Sequence, residues 1–196
     1  MAEKKKRFLT PVGFAKWAHV QTPKEPFKDK NGKPQGEPKY MIDVCFSIDD
    51  PAWKAWASEL KANILALPVQ IDKHSDEAMP KQMPIKRELD MDEKPTGRLY
   101  VTFKTSAQFK PGLFDKYGQP IPENVSIGNE SKVRIAYIPS EYEAFGGGVA
   151  LYLNAVQVMD LVEFKPQSAT AYGFEVEQGA PVTAGGPPQA EDDLPF

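Results

Sequence analysis

Tyr40-Met41-Ile42-Asp43-Val44-Cys45-Phe46-Ser47-Ile48 alternates with period two, which places Tyr40, Ile42, Val44, Phe46 and Ile48 on one face and mostly polar or small groups on the other. It is the clearest strand in the chain. Immediately after it, Asp50-Pro51 supplies an N-cap and a proline at the first helical position, and Trp53, Trp56, Ala57, Leu60, Ile64 and Leu67 follow at helical spacing. That helix covers one end or face of a sheet, so its two tryptophans are expected in the core.

Working outward, Phe8 to Val20 contains Phe14, Trp17, His19 and Val20 and predicts a first strand or two. Gln21 to Pro38 is dense in Lys, Pro, Gly, Asn and Asp and predicts a long exposed loop with a turn at Asn31-Gly32. From Pro68 to Thr96 the pattern dissolves into a charged connection holding Pro80, Pro84 and Pro95. Alternation resumes at Arg98 to Ser106, Ser131 to Ile138 and Val149 to Met159. On these strands Tyr40, Phe103 and Tyr137 fall on the apolar side and are assigned to the core. Gly146-Gly147-Gly148 lets the chain turn into the last strand, and no Gly-Lys-Ser/Thr follows to make a phosphate loop. The order of elements predicts a mainly β fold with one capping helix: a Greek-key barrel of the OB type with about five principal strands and long loops. A half-open β-sandwich would show the same periodicity.

Charge divides the chain more sharply than its formal net of −3 implies. Residues 1–165 carry all 24 Lys and Arg and 22 of the 27 acids, a net of +2, while residues 166–196 carry only acids and stand at −5. Within the first forty residues ten cations face four acids, and a polyanion responds to such a local patch rather than to the sum. Residues 1–7 form a basic arm, residues 8–165 are the size of one domain with a buried core, and residues 166–196 read as a flexible acidic tail. That tail is rich in Gly, Pro, Ala, Gln, Ser and Thr and lacks the apolar area to offset the entropy of ordering it. It ends on Asp192, Asp193, Leu194, Pro195 and Phe196, a carboxylate cluster with an apolar hook, expected to be held by a partner protein. One cysteine, no apolar signal segment and no run of about twenty apolar residues point to a cytoplasmic protein.

A protein that grips a single nucleic-acid strand without reading it needs cations for phosphates and rings for unstacked bases. The body interleaves both: Lys16 with Trp17, Lys39 beside Tyr40, Tyr100 with Lys104, Lys110 with Phe114, and Lys132 and Arg134 on a strand leading to Tyr142, Phe145 and Tyr152. Catalysis finds little support. His19 and His74 are the only histidines, Cys45 is isolated, and no Cys-x-x-Cys or His-Glu-x-x-His spacing occurs. No catalytic residue, metal or cofactor is assigned. The alternatives are a Mg²⁺-dependent nuclease built on Asp90, Asp92 and Glu93, and a protein scaffold with no DNA role.

The tip Glu191-Asp192-Asp193-Leu194-Pro195-Phe196 resembles the acidic ends of bacterial and phage single-stranded DNA-binding proteins. In the body, Trp17-Ala18-His19-Val20, Ile127-Gly128-Asn129-Glu130-Ser131-Lys132-Val133-Arg134, Phe145-Gly146-Gly147-Gly148-Val149 and Ala155-Val156-Gln157-Val158 are similar to the phage-encoded members of that group. The resemblance implies an OB-fold core that coats single-stranded DNA on a basic, aromatic-lined face during phage replication, recombination and repair. It also implies replication and recombination proteins docked on the tail. Monomer and homodimer both remain open.

Overall fold

The computed structural model describes residues 6–65, 84–142, 148–163 and 173. The chain divides into units Met1–Phe164 and Lys165–Phe196. The elements of the first are β1 (Phe8–Leu9), β2 (Gly13–Lys24), β3 (Lys39–Ser47), α1 (Pro51–Leu65), β4 (Ile85–Leu89), β5 (Pro95–Ser106), β6 (Gly112–Asp115), β7 (Lys132–Tyr142) and β8 (Gly148–Asp160). Strands pair in the order β7-β2-β3-β5-β8, and β8 pairs back onto β7, so the sheet closes on itself. Only the β5–β8 pair in this ring is parallel. Closure removes the free edges of the five principal strands, which decides for the OB-type barrel over the half-open sandwich.

The inward residues of β3 are Tyr40, Ile42, Val44 and Phe46, as the alternation predicts, and they meet Phe103, Ile135, Tyr137, Leu151 and Leu153 in one core. The pattern fails at its end. Ile48 lies past the last strand residue and is exposed, because the chain must leave the sheet there to enter α1. The Asp50 carboxylate accepts a 2.8 Å hydrogen bond from the Ala52 amide, the capping expected of this position. Trp53, Trp56 and Leu60 are buried; Phe46 stacks on Trp53 at 5.0 Å, and the Trp56 indole donates to the Tyr137 hydroxyl at 3.1 Å. Burial pushes the Tyr137 phenol up to about 12, against the hydrogen bond from Trp56. Leu67 and the side chain of Ile64 lie outside the described residues.

Two strands lie outside the segments where the sequence alternates. β4 runs Ile85-Lys86-Arg87-Glu88-Leu89, with four of its residues facing β5 in a ladder and most side chains wet. β6 adds Gly112–Asp115 alongside β8. Both are short additions to the ring, where charged residues are the usual occupants. β2 also continues to Lys24, into the predicted loop. The remaining loop turns where Asn31-Gly32 predicted, with Gly32 at φ 75° and the Asp29 carboxylate accepting from the Asn31 and Lys33 amides.

Candidate nucleic-acid interface

Cross-strand partners point to the same side of a sheet, so the register maps the barrel's outer face. On β3 and β5 it pairs Lys39 with Ser106, Met41 with Lys104, Asp43 with Thr102, and Cys45 with Tyr100. The rows extend to Lys24, His19 and Lys16 on β2, to Lys86 on β4 and to Tyr152 on β8. Lys86, Lys104 and Tyr142 line one shallow groove with Pro84, Thr102 and Ala150. Tyr152, 47% exposed, stands beside Lys104, and Tyr100 beside Lys86. The structure thus gathers Lys39, Tyr100, Lys104, Tyr142 and Tyr152 from the sequence expectation into one continuous surface.

The electrostatics of this surface are unbalanced toward positive charge. Lys104 is held below the usual lysine range by burial and by the neighbouring charges of Lys39 and Lys86. Among the described residues, no carboxylate lies within ion-pair distance of these three. Crowded, uncompensated ammonium groups are what phosphate oxygens satisfy best. Asp43 is an acid set among them, and burial raises its pKa against the Thr102 hydrogen bond and the fields of Lys86, Lys24 and Lys16.

Three of the other expected cations are already paired. Lys16 donates to Glu88 at 2.6 Å, Lys110 to Glu123 at 2.5 Å, and Lys132 lies 3.4 Å from Asp160. Arg134 is half-buried, with its Nε enclosed and lacking a partner. It shares Gln157 as register partner with Phe114, so these two form a second row roughly 16 Å from Tyr152 along β8. Trp17 stands apart from the ladder. It adopts φ 52° where the β2–β3 register shifts, its amide donates to the Asn129 side chain at 3.0 Å, and 58% of its surface is exposed. Phe145 and the tip residues Asp192, Asp193, Leu194, Pro195 and Phe196 lie outside the described residues.

Sequence reasoning missed Lys86, Lys24 and the exposed rings of Phe27 and Phe109. For Lys86 the sequence carries no period-two signal, since Ile85 and Leu89 bracket three consecutive charged residues directly after Pro84. The acidic trio of β4–β5 is a turn: Asp90 Oδ1 accepts from the Asp92 and Lys94 amides, and Lys94 approaches Asp92 at 3.6 Å. Among the described residues no three His, Cys, Asp or Glu side chains gather as metal ligands would.

No family model matches the chain, and no curated protein does. Solved structures do. The gp2.5 single-stranded DNA-binding protein of bacteriophage T7 is 20% identical, with a TM-score of 0.55 over 92% of this chain and 100% of that one. The single-stranded DNA-binding protein of bacteriophage Enc34 in complex with ssDNA is 17% identical, with a TM-score of 0.56 over 79% of this chain and 86% of that one. A C-terminal truncation of the Enc34 protein gives 19% and 0.57 over 79% and 85%. The barrel of this chain therefore has the fold of the phage single-stranded DNA-binding proteins.

Proposed function

We propose that this chain binds single-stranded DNA without strong dependence on sequence, along the outer face of β3, β5 and β8. The observation that carries the reading is the cluster of Lys39, Lys86 and Lys104, uncompensated by any described carboxylate, beside the rings of Tyr100 and Tyr152. Cations take the phosphates and rings take the bases, each ring contributing about 1–3 kcal/mol. The shared fold supports the same reading. No reaction is assigned to the chain, since Asp90 is committed to its turn.

The biological setting belongs to the proposal too: coating of DNA during phage replication, recombination and repair in the host cytoplasm, with partner enzymes recruited by the tip Asp192 to Phe196. Titration with a mixed-sequence oligonucleotide, followed by tryptophan fluorescence, tests the core claim. Trp53 and Trp56 are buried, so quenching would come from Trp17. Saturable quenching with an affinity that falls steeply with salt is expected; the absence of binding at low salt would overturn the reading.

A further inference from the structure

The outer face of β3 places one carboxylate inside the lysine track. Asp43 lies in register between Lys16 of β2 and Thr102 of β5. Its Oδ1 accepts a 2.6 Å hydrogen bond from the Thr102 hydroxyl, and its second oxygen has no partner among the described residues. Lys16, its neighbour in register, is engaged by Glu88 at 2.6 Å instead. Asp43 therefore faces outward as a half-buried anion beside Thr102, which lines the groove. In a track that holds phosphates such a charge weakens binding, and the bond to Thr102 would survive with an uncharged Asn or Ser. The charge calls for another role.

An ionised carboxylate is an acceptor only. Cytosine and adenine each offer an exocyclic amino group on the Watson–Crick edge. Thymine instead shows two carbonyl oxygens flanking its single N–H, and those oxygens are repelled. Tyr100 faces Cys45, two residues along β3 from Asp43, a diagonal of about 7–8 Å that a base lying on the ring can span with its edge. We propose that Asp43 selects the base above Tyr100, favouring cytosine and adenine over thymine through its free carboxylate oxygen. The proposal rests on the single-stranded DNA reading and adds to it a local preference at one nucleotide, created as much by repulsion of the wrong edge as by attraction of the right one.

The test compares oligo-dC, oligo-dA and oligo-dT of equal length on the full chain at neutral pH. The intact protein should bind dC and dA about fivefold more tightly than dT, the size of one ordinary net hydrogen bond. Asp43→Asn should bring the three affinities together, chiefly by tightening dT, with Asp43→Ser as a second uncharged variant should the first fold poorly. Lys39→Ala should weaken all three by a common factor. If Asp43→Asn tightens all three equally, Asp43 merely repels phosphate and the proposal fails; it fails equally if the intact protein shows no preference against dT. If none of the oligonucleotides binds, the functional reading itself falls.

Discussion

The Lys16 ammonium on β2 lies 2.6 Å from the Glu88 carboxylate on β4, a contact between residues 72 apart in the chain. Thr96 donates to the other Glu88 oxygen at 2.9 Å and Arg98 stands 3.5 Å away. Glu88 thus ties the β4–β5 hairpin to β2 across the outer face. Burial alone would raise its pKa, but the hydrogen bonds from Lys16 and Thr96 and the Arg98 charge together hold it below the usual glutamate value. A carboxylate with a depressed folded pKa stabilises above its unfolded value, and that contribution is lost as the pH falls through the folded pKa. Glu88→Gln should therefore cost about 2 kcal/mol at neutral pH and flatten the loss of stability below about pH 4.5. Thermal melts of both proteins from neutral to acid pH would show it; parallel acid limbs would contradict it.

The pairing of Lys16 also ranks the cations for DNA. Among the described residues Lys39, Lys86 and Lys104 have no carboxylate within ion-pair distance to leave, whereas Lys16, Lys110 and Lys132 must give one up. Alanine at any of the first three should lower the slope of log affinity against log salt by about one, and alanine at Lys110 or Lys132 by distinctly less. Salt titrations of these variants decide this, and equal slopes across the set would refute the assignment of the groove.

This ranking marks where the sequence stopped being legible. β3, the Asp50 cap and the buried tryptophans were readable because period and capping are local properties of the chain. The strand face of Lys104 and Tyr152 was readable for the same reason. That Lys16 is neutralised and Lys86 is not depends on which strands become neighbours, and β4 reaches β2 only through the order β2-β3-β5-β4. No window on the sequence contains that information. Asp43 was likewise an ordinary polar position of an alternating strand until register set it among lysines.

The acidic tail should compete with DNA for the lysine groove. A segment with the composition of residues 166–196 would hold its tip at an effective concentration that can reach the millimolar range, enough for a weak intramolecular contact to raise the apparent Kd for DNA. Deletion of residues 167–196 should tighten binding at low salt and lose partner recruitment, and by linkage DNA should free the tip for partners. Removal of Phe196 alone should impair partner capture while leaving DNA affinity intact. Identical DNA affinity with and without the tail at every salt concentration would eliminate the competition.

Gly13 tests the packing of the barrel wall. A Cβ there would fall 2.5 Å from Val44 Cγ1, 2.6 Å from Phe46 Cε1 and 2.9 Å from the Cys45 carbonyl oxygen. The last is ladder backbone and cannot move aside. Gly13→Ala should destabilise the fold by about 1–3 kcal/mol through overpacking, measurable as a lowered denaturation midpoint. An unchanged midpoint would mean that β2 and β3 are further apart than the register implies.

Trp17 holds a large ring in solvent at φ 52°, a left-handed conformation that costs an L-residue roughly 1–2 kcal/mol and glycine almost nothing. Its amide is fixed by Asn129, and the same loop anchors itself through the Glu130 amide to the Ala15 carbonyl at 2.8 Å. The surrounding structure thus maintains a strained backbone that aims the indole outward, as strain at a functional position often does. Trp17→Ala keeps the strain and removes the ring; Trp17→Gly removes both. Both variants should lose DNA affinity by the worth of one stacked base, about 1–3 kcal/mol. The glycine variant should nonetheless melt higher than the alanine variant, by about 1 kcal/mol of stability. Equal melting of the two would show that the strain is relieved elsewhere, and undiminished DNA binding by both would remove the indole from the interface.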